Sequence, residues 1–595
     1  MKVRVADYIA DHLDGIGVRA AFLLSGGMMM HLMDALNRRP NIRYYCHHHE
    51  QAAAMAADAY ARYTGKLGLC LATSGPGATN LVTGITGAWQ DSSPVLFLTG
   101  QSKLGETIEG SGIKELRQFG VFEVNIVPVV HSITKYAVFL REPATVRYHL
   151  ERAIYLATTG RPGPVLIDIP LDIQGALVDP DELIGFVPEK QHSVVDRDAL
   201  AETAAALERA RRPLILAGQG VRIAGAAEGF RRLVHELNVP VVTTQMAKDL
   251  LAFDDPLFIG HPGYKGDRAA NFAVQSADFL LSVGASLHIQ TTGYNLDQFA
   301  PLAKKIMVEL DPAIRARENC GFATKIAMDA RAFLKELERE EAKPRVNREW
   351  RERCLSWKKA YAVRNEPHEK HAPGGPANLY EVIDTLSGAL CGNETLVIDA
   401  GQPYFAFPQV FRMSAGQRYL VSGSLGAMGV ALPFSIGAAV AQPGSPVICV
   451  SGDGSFHMNI QELETVRHNR LNIKFFVIDN DGYASIRATQ RNFFAGQFIG
   501  STQSSGVTLP PLRKLADAYG IRFIDCPERR GLRSAIFSAL ETPGPAICAV
   551  KAIPDQAIIP SVPSVKLADG RMCSGALHQM APPLPAAELA QALSF

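Results

Sequence analysis

No apolar run in these 595 residues reaches the ~18 to 20 that a bilayer-spanning helix needs, so the sequence predicts no membrane-embedded segment and no membrane partner. Charge of one sign is missing too. Sixty Lys and Arg against 59 Asp and Glu leave a net +1, and no Arg/Lys cluster interleaves with aromatics, which removes the electrostatic case for nucleic acid. Paired cysteines are lacking: nine are scattered, Cys46, Cys70, Cys320 and Cys449 among them, with no CxxC spacing. They read as buried free thiols of a cytoplasmic protein. The start, Met1 to Asp7, carries acids early and runs on as an amphipathic helix, unlike a basic apolar leader. These absences point to a small, mostly neutral partner.

What is present is a repeated alternation of strand and helix signals. A chain of this length folds as about three domains of ~150 to 200 residues. Strand-like runs at 20–24, 68–72, 95–99 and 164–169, with helical patterns between them, imply a parallel sheet covered on both faces. A polar stretch at 188–198 reads as a linker to a second α/β unit with strands at 213–217, 239–243, 279–283 and 305–309. The charged, Pro- and Gly-bearing stretch 338–376 reads as a second linker. A third α/β unit follows to about Lys551. The proline-rich end after Ile553 is too irregular for a domain of its own.

The densest chemistry lies in that third unit. The β-rich run 445–451 ends in Gly452-Asp453-Gly454, whose glycines let the backbone approach an anion closely. Apolar residues at helical spacing from Phe456 to His468 and a second buried strand, 473–478, lead into Asn480-Asp481-Gly482. A right-handed crossover sets both strand ends on one edge of a parallel sheet, so Asp453 and Asn480 converge. One carboxylate, one amide oxygen and a backbone carbonyl near Gly482 suit Mg²⁺ bound together with a diphosphate. A lone Gly-Asp-Gly also fits a plain tight turn.

In the first unit, His47-His48-His49-Glu50-Gln51 precedes a helix-like, alanine-rich run to Tyr63, followed by Thr73-Ser74-Gly75-Pro76-Gly77-Ala78-Thr79-Asn80. Adjacent strand side chains point to opposite faces, so the three histidines do not gather on one metal ion. Glu50 by itself reads first as a helix-start acid. Taken together, these stretches resemble the thiamine diphosphate enzymes over nearly the whole chain, most closely the acetolactate synthase-like branch.

That resemblance implies three doubly wound α/β domains: a pyrimidine-binding domain at 1–175, a central domain at 190–340 and a diphosphate-binding domain at 375–552. A tail at 553–595 would act as an active-site flap. It implies thiamine diphosphate and Mg²⁺, with Asp453, Asn480 and Gly482 on the metal. Glu50 would act on the aminopyrimidine, since a carboxyl group in an apolar pocket can share a proton with a ring nitrogen. Cofactor contacts are implied at Thr73, Pro76 and Asn80, at Gly401 and Gln402, and at Gly452, Gly454, Ser455 and Tyr483. Gly426 and Met428 fall in the segment whose bulky side chain wedges the cofactor into a bent shape; a gap-filling core methionine is the other reading of Met428. Gly27, His31 and Gln118 are implied on the substrate side, His31 standing where the family has a proline, as proton shuttle or as structural histidine.

Two departures bear on the substrate. Thr489 and Ser485 stand in places read as the family's acceptor-pocket tryptophan and methionine, which implies a roomier, more polar pocket. The tail motifs Pro560-Ser561-Val562 and Asp569-Gly570-Arg571-Met572 resemble relatives from bacterial surface-sugar pathways. The activity implied is a carboligase that decarboxylates a 2-keto acid such as pyruvate and passes the two-carbon unit to a carbonyl acceptor, a keto-sugar nucleotide among the candidates. A 2-keto acid decarboxylase, lyase or C–C bond hydrolase is the alternative. The central domain resembles a flavin-binding one at Gly218-Gln219-Gly220 and Gly284-Ala285, but Ser286 replaces the expected basic residue; FAD and a merely bridging domain both stay open. A homodimer or homotetramer with sites between subunits is implied as well.

Overall fold

The computed structural model describes residues 1–113, 115–189, 195–341, 348–369, 372–566 and 569–594. Three six-stranded parallel sheets organise the chain. The first runs Arg43–Cys46, Ala20–Leu23, Gly68–Ala72, Val95–Gln101, Val165–Pro170, Tyr136–Phe139. The third runs Arg418–Val421, Thr395–Ile398, Val447–Gly452, Ile473–Asp479, Ala546–Lys551, Arg522–Cys526. Counted in chain order within each sheet, both follow 2-1-3-4-6-5, so the first and third domains share a topology. The central sheet, from Phe258–Gly260 through Pro213–Ala217 to Thr324–Ile326, follows 3-2-1-4-5-6.

Interior strands such as Gly68–Ala72, Val95–Gln101 and Phe279–Val283 are buried at every position. Helices on both faces require this of a parallel sheet, and it explains the continuous apolar runs in the sequence. Edge strands escaped the sequence reading because they lack such runs: Arg43–Cys46 buries only Tyr45, and Tyr136–Phe139 is half-buried throughout. Cys46 on that edge, with Cys391 and Cys573, is accordingly exposed and not the buried thiol expected; the other six cysteines are buried.

The first and third domains meet through small residues. Helix Glu50–Thr64, with Ala52 to Ala54 and Ala56, Ala57 and Ala59 buried, packs along helix Ala431–Ala441. A Cβ on Gly437 would lie 2.1 Å from the Ala56 carbonyl oxygen, so this close approach depends on glycine. Beside it His47 Nδ1 sits 2.9 Å from Glu462 Oε2, both side chains fully buried.

Two expectations change. The stretch 338–376 is more than a linker, because helix Arg348–Ala360 lies within it, burying Trp350, Cys354 and Trp357 against the central domain. Its heavy charge masked that stripe. Part of this stretch, 342–347 and 370–371, and 190–194 of the first linker lie outside the described residues. The tail is also built: strands Ser564–Lys566 and Met572–Ser574 pair, helix Ala586–Leu593 follows, and Leu577, Met580 and Ala592 join the central core. Arg268, 1% exposed, fixes it by donating to the Met580 and Pro582 carbonyls and pairing with Glu366. Among the described residues no helix is long and apolar enough to cross a membrane.

Candidate active site

In a sheet ordered 2-1-3-4-6-5, successive connections leave in opposite directions between strands 1 and 3, and the crevice outside those strand ends is where ligands bind in open α/β sheets. In the third sheet that crevice lies beyond Thr395–Ile398 and Val447–Gly452. Asp399 follows the first strand. It accepts from the Ala400 and Gly429 amides at 2.8 and 3.0 Å and from Ser451 Oγ at 2.7 Å. One carboxylate thus ties together the Gly401-Gln402 loop, the Gly426-to-Gly429 turn and the strand that ends at Gly452. Burial pushes Asp399 up to about 6, against those hydrogen bonds. Sequence reasoning passed it over, although an Asp ending an apolar strand before Ala-Gly was a signal.

Asp453, 3% exposed, does the same one strand further on. Its Oδ1 accepts from the Gly454 amide at 2.7 Å and its Oδ2 from the Gly482 amide at 2.9 Å, which joins the two turns across the crossover. Burial raises it to about 6 despite these bonds. Asn480 Nδ2 donates to Gln402 Oε1 at 3.0 Å, while its amide oxygen takes no hydrogen bond among the described residues. Asp481 and Gly482 hold φ of +63° and +97°, and Gly401 holds +93°. Positive φ at Asp481 is costly for a non-glycine residue. A Cβ on Gly454 would meet the Tyr483 ring at 2.5 Å, whereas Cβ atoms on Gly426 and Gly452 would meet nothing within 4 Å. Space is therefore open at those two glycines, beside half-buried Met428; Ser455 is buried in the turn of helix that starts at Asp453.

The first sheet repeats the arrangement at the ends of Ala20–Leu23 and Gly68–Ala72. Glu50, 6% exposed, opens its helix, and its Oε2 accepts from Asn80 Nδ2 at 2.9 Å. A Cβ on Gly77 would meet Thr73 Cγ2 at 2.8 Å and Glu50 Oε1 at 3.5 Å, so Thr73, Gly77, Asn80 and Glu50 form one group. Thr73 Oγ1 accepts from the Met28 amide, placing the loop of Gly27 beside them; Gly27 and Pro76 are exposed. Gln118 lies on an exposed loop clasped by Glu123, which accepts from the amides of Ile108, Phe119 and Gly120.

Not every residue singled out in the sequence joins these groups. His31 turns the other way: its Nδ1 lies 3.5 Å from the Arg4 guanidinium, and its ring covers Gly175. Helix direction decides this, since His31 lies in the first turn of the helix Met30–Asn37, which packs on the N-terminal helix. Thr489 Oγ1 donates to the Ser485 carbonyl of its own helix, while Ser485 Oγ lies 3.8 Å from where a Gly401 Cβ would be.

Among the described residues no three His, Cys, Asp or Glu side chains gather to hold a metal. The donors available at the third sheet are one carboxylate, one amide oxygen and turn carbonyls. That all-oxygen, incomplete set fits a hard cation whose remaining positions come from a phosphate ligand, and the open cradle at Gly426 and Gly452 leaves room for one. In the central sheet the corresponding crevice is lined by Gln219, Gly220, Gly284, Ser286, Glu309 and Arg161.

Comparison with known proteins matches all three units. Residues 3–148 match the thiamine pyrophosphate enzyme N-terminal TPP binding domain, 200–337 its central domain and 399–550 its C-terminal TPP binding domain. The acetolactate synthase large subunit of Cyanidium caldarium is 34% identical over 547 residues, covering 89% of this chain and 90% of that protein. The probable acetolactate synthase large subunit of Methanocaldococcus jannaschii is 35% identical over 538 residues, 87% and 86% of the two chains. Acetolactate synthase 1, chloroplastic, of Nicotiana tabacum is 31% identical over 572 residues, 94% and 83%.

Proposed function

The chain belongs to the thiamine pyrophosphate enzymes, in their acetolactate synthase-like branch, and from that premise we propose that it is a carboligase joining a two-carbon unit from a 2-keto acid to a carbonyl acceptor. The observation that carries the site is the Asp453 carboxylate, which joins the Gly454 and Gly482 turns at the third sheet's switch point.

Asp453, the Asn480 amide oxygen and the Gly482 carbonyl would hold Mg²⁺, and the turns at Gly426 and Gly452 would take the diphosphate. When bound, thiamine diphosphate supplies a carbon nucleophile and an acceptor for the electron pair left behind when carbon dioxide departs. Asp453 orients the turns and would neutralise cation charge. Glu50, kept from water and held by Asn80, would share a proton with a ring nitrogen of the aminopyrimidine. Gly27 and Gln118 border the space for the keto acid.

Within one chain the hydrogen bonds of the Glu50 group and of the Asp453 group do not meet, among the described residues. Exposed apolar side chains flank each group: Phe119, Val121 and Phe122 at 57–67% beside the first, Ile486, Phe493 and Phe494 at 47–59% beside the third. Such surfaces mark an interface, which supports a dimer, or a dimer of dimers, with Glu50 of one copy facing Asp453 of the other. Nine free cysteines fit a cytoplasmic location. For the central crevice, whose glycines stand at a dinucleotide-type switch point, we propose a nucleotide-bearing ligand; flavin absorbance of the purified protein tests FAD.

The deciding experiment feeds pyruvate with and without an aldehyde, a second keto acid or a keto-sugar nucleotide, and identifies the products. Carbon–carbon bond formation with one acceptor supports the proposal. Release of free aldehyde whatever acceptor is added would make it a decarboxylase instead.

A further inference from the structure

Arg487 has no part in the scheme above, yet it is one of the most engaged side chains in the third domain. It is 4% exposed in the helix Ala484–Phe494. One guanidinium nitrogen donates to the Asn480 carbonyl at 2.6 Å and the Pro554 carbonyl at 2.7 Å; the other terminal nitrogen donates to the Asp481 carbonyl at 2.7 Å and, at 3.4 Å, to Ser501. Nε donates to Asp555 Oδ1 at 3.1 Å. A planar fork with five donors serves several fixed acceptors at once, which a lysine ammonium cannot reproduce.

The acceptors are the point. Asn480 and Asp481 belong to the turn with two successive positive φ values, a conformation that persists only where surrounding contacts over-determine it. Arg487 holds that turn by its carbonyls, and Lys551 holds it by the Asp479 and Asp481 carboxylates. The side chain of Asn480 is held separately, by Gln402, whose Nε2 donates to the Gln556 carbonyl at 2.8 Å. Backbone and side chain of Asn480 are therefore both tied, through Arg487 and Gln402, to the same three residues, Pro554, Asp555 and Gln556. From there the chain is held by Gln409 of the third domain, which donates to the Pro560 carbonyl, and reaches the central domain, where Arg268 clamps the tail further on.

We propose that Arg487 is a positioning residue for the Asn480–Gly482 turn, and that the C-terminal segment, through Pro554 to Gln556, is a strap that fixes the turn's shape. The role in cation binding rests on the reading of Asn480 and Gly482 as metal-side groups; the holding of the turn does not. Groups that orient metal-binding residues typically matter by 10- to 100-fold in affinity.

The test compares full-length wild type with Arg487→Lys and Asp555→Asn, the latter at a half-exposed residue whose loss spares the core. Hydrogen–deuterium exchange of the peptide spanning 479–483 is measured without cofactor, and the apparent Mg²⁺ dissociation constant by fluorescence at saturating thiamine diphosphate. We expect faster exchange in that peptide with the Ala431–Ala441 helix unchanged, a Mg²⁺ constant about 10-fold weaker in Arg487→Lys, a smaller shift of the same sign in Asp555→Asn, and an unchanged KM for the keto acid at excess Mg²⁺. Unchanged exchange in both variants overturns the positioning role. Normal exchange differences with no Mg²⁺ binding by wild type would bring down the metal-side reading alone, and Mg²⁺ binding equal in all three proteins would overturn the coupling to the cation.

Discussion

The buried pair His47–Glu462 joins the strand-end that presents Glu50 to the domain that carries Asp453, and replacing Glu462 by alanine is the sharpest probe of that joint. Glu462 accepts from His47 Nδ1 at 2.9 Å, from the His48 amide at 2.9 Å and from Thr465 Oγ1 at 2.8 Å, with no solvent at either side chain of the pair. Burial works against its charge, but the three donors win and hold its carboxyl below the usual range. Alanine leaves all three donors facing an apolar gap, and each buried group left without its partner costs about 1–3 kcal/mol. For domains of this size that lowers the melting temperature by on the order of 10 °C. Glutamine keeps the oxygen facing His48 and, with its amide, can donate to His47 in the other tautomer, so its cost falls to about 1 kcal/mol. Differential scanning fluorimetry at one fixed scan rate reads both variants. An alanine variant that melts with the parent would refute the reasoning, as would a glutamine variant as damaged as alanine.

Other perturbations carry equally definite outcomes. Glu50→Gln should leave thiamine diphosphate binding, measured by calorimetry, near wild type while turnover falls by about 10² to 10⁴; near-normal turnover would remove Glu50 from the mechanism. Asp168 is fully buried between Thr99 and Gln101, and burial raises it to about 7. The folded state therefore keeps a proton that the unfolded chain releases near pH 4, so stability falls as pH rises through that window, by at most about 1.4 kcal/mol per pH unit. Asp168→Asn, pointing its amide nitrogen at Thr99 and its oxygen at Gln101, should flatten this slope in melts taken across pH 5 to 8. Arg268→Met leaves Glu366 buried without its partner and should speed proteolytic cleavage within the tail, seen by mass spectrometry, while the 399–550 region stays resistant; a tail cut at the parental rate would show that Arg268 does not hold it.

The sequence by itself determined the three-domain α/β plan, because a parallel sheet buried on both faces writes itself as apolar runs broken by helical periods. It also determined which short motifs end those strands. Gly-Asp-Gly, the Asn480 turn and the stretch from Glu50 to Asn80 are legible since each is local, a glycine or acid at a place where a strand stops. Sequence order alone did not say that the first and third sheets share one topology, nor that helix Arg348–Ala360 lies in a charged stretch, where only Trp350, Cys354 and Trp357 mark its buried face. Tertiary structure decided which way side chains turn and what they meet. It sent His31 to Arg4, docked the tail on the central domain, and brought Arg487 to Pro554, Glu462 to His47 and Gln402 to Gln556. Those partners lie tens to hundreds of residues apart, and a hydrogen bond selects its acceptor by distance and angle in space, for which spacing along the chain carries no code.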